Sequence, residues 1–121
     1  MEVSRGDVGF SLYGTSSVID FVDGLLGDEG EKVGALLERV SEHGIPKQKE
    51  KSGVISDGLF ELKSYQVRIG FVYGNRRRTI FLIHAFNKKT NRWPNHERTT
   101  AQTVQSQVSQ AIKEGNVQYV E

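Results

Sequence analysis

The sequence predicts an α+β domain: a small antiparallel sheet packed against helices on one side, in the order β-α-α-β-β-β-α. Three observations carry this. Near the start, Val18, Phe21, Val22, Leu25 and then Val33, Leu36, Leu37, Val40 recur at helical spacing. In the middle, Tyr65, Val67, Ile69, Phe71 and Tyr73 alternate at period two, as a half-buried strand requires. Towards the end, Ala101, Val104, Val108, Ala111 and Ile112 keep one apolar stripe at helical period.

Each element follows from local residues. Val8, Phe10 and Leu12 alternate with Asp7, Gly9 and Ser11, which predicts a first strand. Ser16 and Ser17 offer an N-cap to the first helix, and Gly27 ends it. Asp28 and Glu31 resemble a capping box for the second helix, and Gly44 followed by Ile45-Pro46 closes it. Helices joined this tightly form an αα-hairpin. Residues 46–58 are polar and rich in Lys, Ser and Gly, so they read as a loop. Residues 59–63 form a short apolar strand, the alternating segment 65–73 a second, and Gly74-Asn75 a turn. Residues 79–86 are apolar on both faces, as expected of a central strand covered on both sides. Pro94 suits the first position of a helix that runs to about Glu114. The tail, 117–120, either pairs as a last edge strand or stays loose.

The 121 residues make one domain, 1–121, long enough to bury a core unaided. A 36% hydrophobic and 26% charged composition is that of a globular chain. No internal repeat or low-complexity segment interrupts it. Cysteine is absent, which excludes a disulfide framework, thiolate zinc sites and a Cys nucleophile. The first residues lack the apolar run of a signal peptide, and no stretch approaches 18 apolar residues. A cytoplasmic protein without a membrane partner is expected.

The net charge of +1 hides a polarity. Residues 1–58 hold 6 basic and 11 acidic side chains, a balance of −5; residues 59–121 hold 10 and 4, a balance of +6. The positive half gathers Lys63, Arg68, Arg76, Arg77, Arg78, Lys88, Lys89, Arg92 and Arg98 on strands or near their ends. Tyr65, Phe86 and Trp93 are interleaved. Cations neutralise phosphates and aromatic faces stack on unpaired bases, so single-stranded RNA suits such a patch. An acidic protein partner suits it too, and an Arg-rich turn is in many proteins only solvated.

No metal constellation, phosphate-cradling glycine loop or Ser-His-Asp order stands out. His43 sits at a helix C-terminus, where a cation suits the dipole. His84 lies within an apolar strand, the setting of a core histidine. RNA is cleaved without metal when its own 2′-OH attacks the adjacent phosphate. A protein then supplies a base, cations for the phosphorane and an acid for the leaving oxygen. Lys63, Arg68, Lys88 and Lys89 are candidates for the cationic role; spacing singles out no base. Glu61 has a purely structural alternative in pairing with Lys63 or a neighbouring strand's Arg. Glu97 has one in the helix dipole.

Five segments in order carry a family resemblance. SVIDFVDGL (17–25) and LLERVSEHG (36–44) are similar to a first and a second helix. DGLFELK (57–63) resembles "glwELR", and VRIGFVY (67–73) resembles "yRvfY". HAFNKKTNRWPNHERTTA (84–101) resembles "hgFxKKtxktPxxExxxA", with Phe86, Lys88, Lys89, Thr90, Pro94, Glu97 and Ala101 in register. The pattern is similar to that of the HigB-like, phage-derived toxins of the RelE/ParE superfamily, from type II toxin–antitoxin pairs.

The resemblance implies a RelE-like fold and an endoribonuclease that cuts mRNA on the ribosome, with no cofactor and a co-encoded antitoxin as partner. Position by position, Lys63 stands at the Arg of "ELR", Arg68 at the Arg of "yRv", and Lys88 and Lys89 at the paired lysines. Arg68 and Lys88 are then assigned to the scissile phosphate and Lys63 to its neighbour. Lys89, Arg76, Arg77 and Arg78 are assigned to flanking phosphates or ribosomal RNA. Phe86 and Trp93 are assigned to substrate; for Trp93 the alternative is packing against the sheet. Val67 stands where the family has Tyr, and Trp93 replaces a Thr whose hydroxyl cap is worth about 1 kcal/mol. The ParE branch, which inhibits gyrase without nuclease chemistry, shares the fold and is the second expectation.

Overall fold

A computed structural model describes residues 9–89 and 92–115. The elements are β1 (Ser11–Gly14), α1 (Ser16–Asp23), α2 (Gly27–His43), β2 (Ser52–Ser56), β3 (Leu59–Ser64), β4 (Val67–Tyr73), β5 (Thr79–Asn87) and α3 (Asn95–Lys113). They form an α+β fold on one five-stranded sheet, ordered β1-β5-β4-β3-β2. β2 to β5 are antiparallel neighbours, and β1 runs parallel to β5.

Three expectations are corrected. The segment read as loop contains β2, which pairs with β3 across the two-residue turn Asp57–Gly58. Gly58 takes a φ of 75° there, which a side chain resists. The sheet is mixed, because β1 reaches β5 only after the chain has crossed through the helices and the other strands. And the helices cover both faces, not one.

Strand alternation builds those two faces. On one, Leu62, Val67, Ile69, Phe71, Ile80 and Leu82 pack against Val18 of α1 and Val33, Leu36 and Val40 of α2. On the other, Leu59, Val72, Phe81, Ile83 and Phe86 pack against Trp93 and Ala101, with Val104, Val108 and Ile112 of α3 alongside. Residues 79–86 carry side chains for both cores, which is why they are apolar without alternation.

Boundaries shift for local reasons. Thr15, not Ser16 or Ser17, caps α1, its hydroxyl accepting from Val18 N at 3.4 Å. α1 stops at Asp23 with Gly24 as its C-cap, so Gly27 instead opens α2, with Asp28 and Glu29 in its first turn. Gly44 closes α2 at a φ of 89°, where the sequence places the stop. Pro94 is the residue before α3, and Asn95 is the first helical one. Tyr65 lies in the β3–β4 turn, not in a strand, at a φ of 54° and 70% exposed. That φ is strained for a ring-bearing side chain. The expectation for residues 117–120 lies outside the described residues, as does Val8.

Candidate functional site

The site grows from the strand register. Lys63 on β3 stands opposite Arg68 on β4, and Arg68 stands opposite Phe86 on β5. Lys88 leaves the end of β5 beside the β3–β4 turn, its backbone N–H donating to Gln66 O at 2.6 Å. Two cations paired across a tight turn and a third some 20 residues later therefore meet at one end of the sheet, on the α3 face. With Arg92, Trp93 and Arg98 from the entry to α3, and Val54 and Ile55 from β2, they line an open pocket of about 280 Å³. Its lining includes five basic side chains and a single carboxylate, Glu61.

Glu61 holds this arrangement together. It is buried on β3, two residues from Lys63 and on the same face. Its Oε1 accepts from the Trp93 indole Nε1 at 2.8 Å and lies 3.7 Å from Arg68 Nε. Its Oε2 lies 3.8 Å from Lys63 Nζ. Arg68 is fixed from behind as well: one terminal nitrogen donates to Tyr65 O at 2.5 Å and to Val67 O at 3.0 Å. Lys63 Nζ donates to Lys49 O at 2.8 Å. A rigid guanidinium and two ammonium groups around one concavity are suited to an oxyanion such as a phosphate.

Burial pushes the Arg68 guanidinium below its ordinary value, and the Glu61 carboxylate acts against that shift. Lys88 is pushed down by partial burial first and then by the Arg68 charge; Glu61 opposes the shift and Lys63 adds to it. An ammonium that repels its neighbours gains most when an anion arrives between them.

Behind the pocket, β5 carries a register shift: Gly70 pairs with His84, and the next β4 residue, Phe71, pairs with Leu82. The extra residue puts Ile83 and His84 both towards α3. His84 Nε2 meets Glu97 Oε1 at 2.6 Å, which ties the first turn of α3 to β5. His96 Nε2 lies 3.3 Å from the other Glu97 oxygen. Gly70 leaves space for the indole: a Cβ there would stand 3.0 Å from Trp93 Cη2.

Lys63, Arg68 and Lys88 are thus brought together. The residues assigned to substrate separate. Phe86 is 6% exposed and packs edge-on against Trp93 at 4.8 Å between ring centres, so its face is closed to a base. Trp93 lines the pocket, yet it is also 6% exposed and its N–H is committed to Glu61. Packing against the sheet is the alternative it adopts. Lys89 is exposed and outside the pocket lining. Arg76, Arg77 and Arg78 occupy the β4–β5 turn at the far end of the sheet. β4 runs five residues from Arg68 to Tyr73, about 17 Å at the rise of a strand.

Glu61 and Glu97 were legible only as structural carboxylates. Their partners lie 32 residues (Trp93) and 13 residues (His84) away. The one local signal was a carboxylate between Phe60 and Leu62 in an apolar strand. Among the described residues, no group of three or more His, Asp or Glu could hold a metal ion. Among the same residues, no helix is long and apolar enough to cross a membrane.

A mixed sheet with a two-helix layer on one face and an open, cation-lined pocket beside α3 on the other defines the class: a small α+β protein. The chain matches the model of the phage-derived Gp49-like protein family (DUF891) over residues 20–106 and belongs to that family. It is a toxin-like family of toxin–antitoxin systems, and membership implies an antitoxin as partner. No curated protein matches the chain.

Proposed function

We propose that the protein is the toxin of a type II pair in the HigB-like branch, and that it cleaves mRNA on the ribosome. The observation that supports this reading is the convergence of Lys63, Arg68 and Lys88 on one open pocket. The reaction is transesterification: the 2′-oxygen bonds to phosphorus, the bond from phosphorus to the 5′-oxygen breaks, and the 2′-OH proton is lost. A 2′,3′-cyclic phosphate and a protonated 5′-OH result. Arg68 and Lys88 hold the non-bridging oxygens as charge builds on the phosphorane, and Lys63 holds the adjacent phosphate. Cationic stabilisation of that charge needs no metal.

Induced expression followed by mapping of mRNA 5′ ends tests this. Wild type should produce new ends within reading frames, and a folded Arg68→Ala protein should produce none and permit growth. Equal toxicity of folded Arg68→Ala sinks the assignment. Loss of negative supercoiling with mRNA intact replaces it with the gyrase-inhibiting reading. Ribosome binding should weaken steeply with salt, with a log–log slope of about −0.7 for each single-strand phosphate neutralised.

A further inference from the structure

A buried carboxylate inside a site proposed to bind phosphate is an anomaly. It carries the same sign as the substrate and lies against Arg68 and Lys63, two of the groups meant to receive it. Burial gives the first part of the explanation. The Arg68 side chain is 11% exposed, and a guanidinium so far from water is destabilising without a counter-charge. Glu61 supplies that charge, its own side chain being 11% exposed.

The hydrogen bonds give the second part. Arg68 is gripped on two sides, by Glu61 at Nε and by the Tyr65 and Val67 carbonyls at one terminal nitrogen. Glu61 is in turn gripped by the indole N–H of Trp93. Trp93 is fixed by the edge-on Phe86 ring and by the space Gly70 leaves. The Nε separation of 3.7 Å is an ion-pair distance, longer than a formed hydrogen bond, so the Glu61 grip on Arg68 is loose enough to be exchanged.

We propose that Glu61, pinned by Trp93, is a positioning residue for Arg68: a resident counter-anion that orients the guanidinium before substrate binds and cedes it to the scissile phosphate. This rests on the phosphate-binding reading of the pocket, and it adds a consequence that a merely structural Glu61 lacks. Orientation favours turnover, while like charge opposes binding. Removing the charge but keeping the shape therefore moves affinity and turnover in opposite directions.

Glu61→Gln is that change, since the amide oxygen still accepts from the Trp93 indole. An RNA oligonucleotide carrying a 2′-deoxy sugar at the scissile position reports binding without cleavage, and inorganic phosphate serves as a second probe. Glu61→Gln should bind both several-fold more tightly than wild type. On the cleavable RNA its kcat should fall about tenfold or more, in line with the cost of a misplaced catalytic group. Trp93 is the sole tryptophan, so the protein has one indole N–H resonance, and that N–H donates to Glu61 Oε1. Phosphate should shift this resonance in wild type as Arg68 leaves Glu61, and shift it much less in Arg68→Lys, where the Nε contact is gone. Unchanged affinity and kcat in folded Glu61→Gln overturn the proposal, as does an indole resonance unmoved by saturating phosphate. If wild type cleaves no RNA but phosphate still moves the resonance and binds Glu61→Gln more tightly, the nuclease reading fails and the Glu61–Arg68 exchange stands.

Discussion

The two faces of the sheet are built from the same strands and do opposite work. On the α1–α2 face, Leu62, Val67, Ile69 and Phe71 are all at most 1% exposed and none carries a polar side chain. One residue along, the α3 face carries Glu61, Lys63, Arg68 and Gly70. Beyond Val72, Ile83 and Phe86, its core gives way to a polar pocket. Period-two alternation is what permits this: stability is concentrated on one face, so the other tolerates five cations around one carboxylate. Substitutions on the first face should therefore act through folding, and those on the second through chemistry.

The largest expected effect breaks the first face. Phe71→Ala removes a fully buried ring between the helical layer and the sheet and should cost about 3–5 kcal/mol. Urea unfolding measures it; at temperatures where the variant remains folded, cleavage per folded molecule should be unchanged. A variant of near wild-type stability with lost activity would reverse the division of labour between the faces.

Arg68→Ala is its counterpart on the second face. It should lower the cleavage rate by about 10²–10³, the usual effect of removing one charge-stabilising donor. It also leaves Glu61 without its guanidinium, although Lys63 remains 3.8 Å away and limits the loss of stability. Single-turnover cleavage at saturating substrate, beside a urea titration of the same sample, separates the two effects.

Gly70→Ala tests how the second face seats its tryptophan. The new methyl group would press on Trp93 Cη2 from 3.0 Å, and overpacking of this kind costs about 1–3 kcal/mol. The indole must tilt, so its N–H should leave Glu61 and its resonance should move in the free protein. An unshifted resonance would mean that the ring yields elsewhere and that Gly70 is not what seats Trp93.

How much of this the residues announce depends on the distance over which each signal acts. α2, β4, β5 and α3 are legible because their periodicities are local and strong. β2 escapes because an edge strand needs little apolar surface: only Val54 and Ile55 interrupt its small polar neighbours, and Val54 is 70% exposed. Asp57–Gly58 was the available turn signal. The parallel pairing of β1 with β5 is invisible locally, because 64 residues separate the end of one strand from the start of the other. The doubly apolar β5 did announce helices on both faces, a hint stronger than the one-sided layer expected from element order. Lys63 and Arg68 converge for a readable reason, since a tight turn puts them in register. The burial of Phe86 is not readable, because it follows from where Trp93 docks, and that depends on the absence of a side chain at Gly70. Nor is the isolation of Arg76, Arg77 and Arg78, which share the pocket's charge but sit at the other end of two strands.

Lys88 sharpens the second face through pH. Its folded value is lowered by partial burial and by Arg68, so the unfolded chain holds this proton more tightly in the window between the lowered and the ordinary lysine values. Stability should rise slightly with pH through that window as the folded protein sheds an unfavourable charge. Affinity for the uncleavable RNA should fall through the same window, since the shed charge is one that phosphate needs. Lys88→Arg stays charged throughout and should flatten the affinity profile. A wild-type profile identical to that of Lys88→Arg would remove Lys88 from phosphate contact.

The smallest expected effect belongs to the cations outside the pocket. Arg77 is exposed in the β4–β5 turn, at the opposite end of β4 from Arg68. A charge so placed interacts with RNA in the pocket across more than one Debye length at physiological salt, about 8 Å, so its field there is largely screened. Arg77→Ala should leave the single-turnover cleavage rate of a short oligonucleotide unchanged and leave the salt slope of its binding unchanged. Lys88→Ala should reduce that slope by about 0.7, one single-strand phosphate's worth. On intact ribosomes, whose RNA is large enough to reach both ends of the sheet, Arg77→Ala should weaken binding modestly. An effect of Arg77→Ala on the short oligonucleotide equal to that of Lys88→Ala would show that RNA runs the length of the sheet, and the two ends would then be one site.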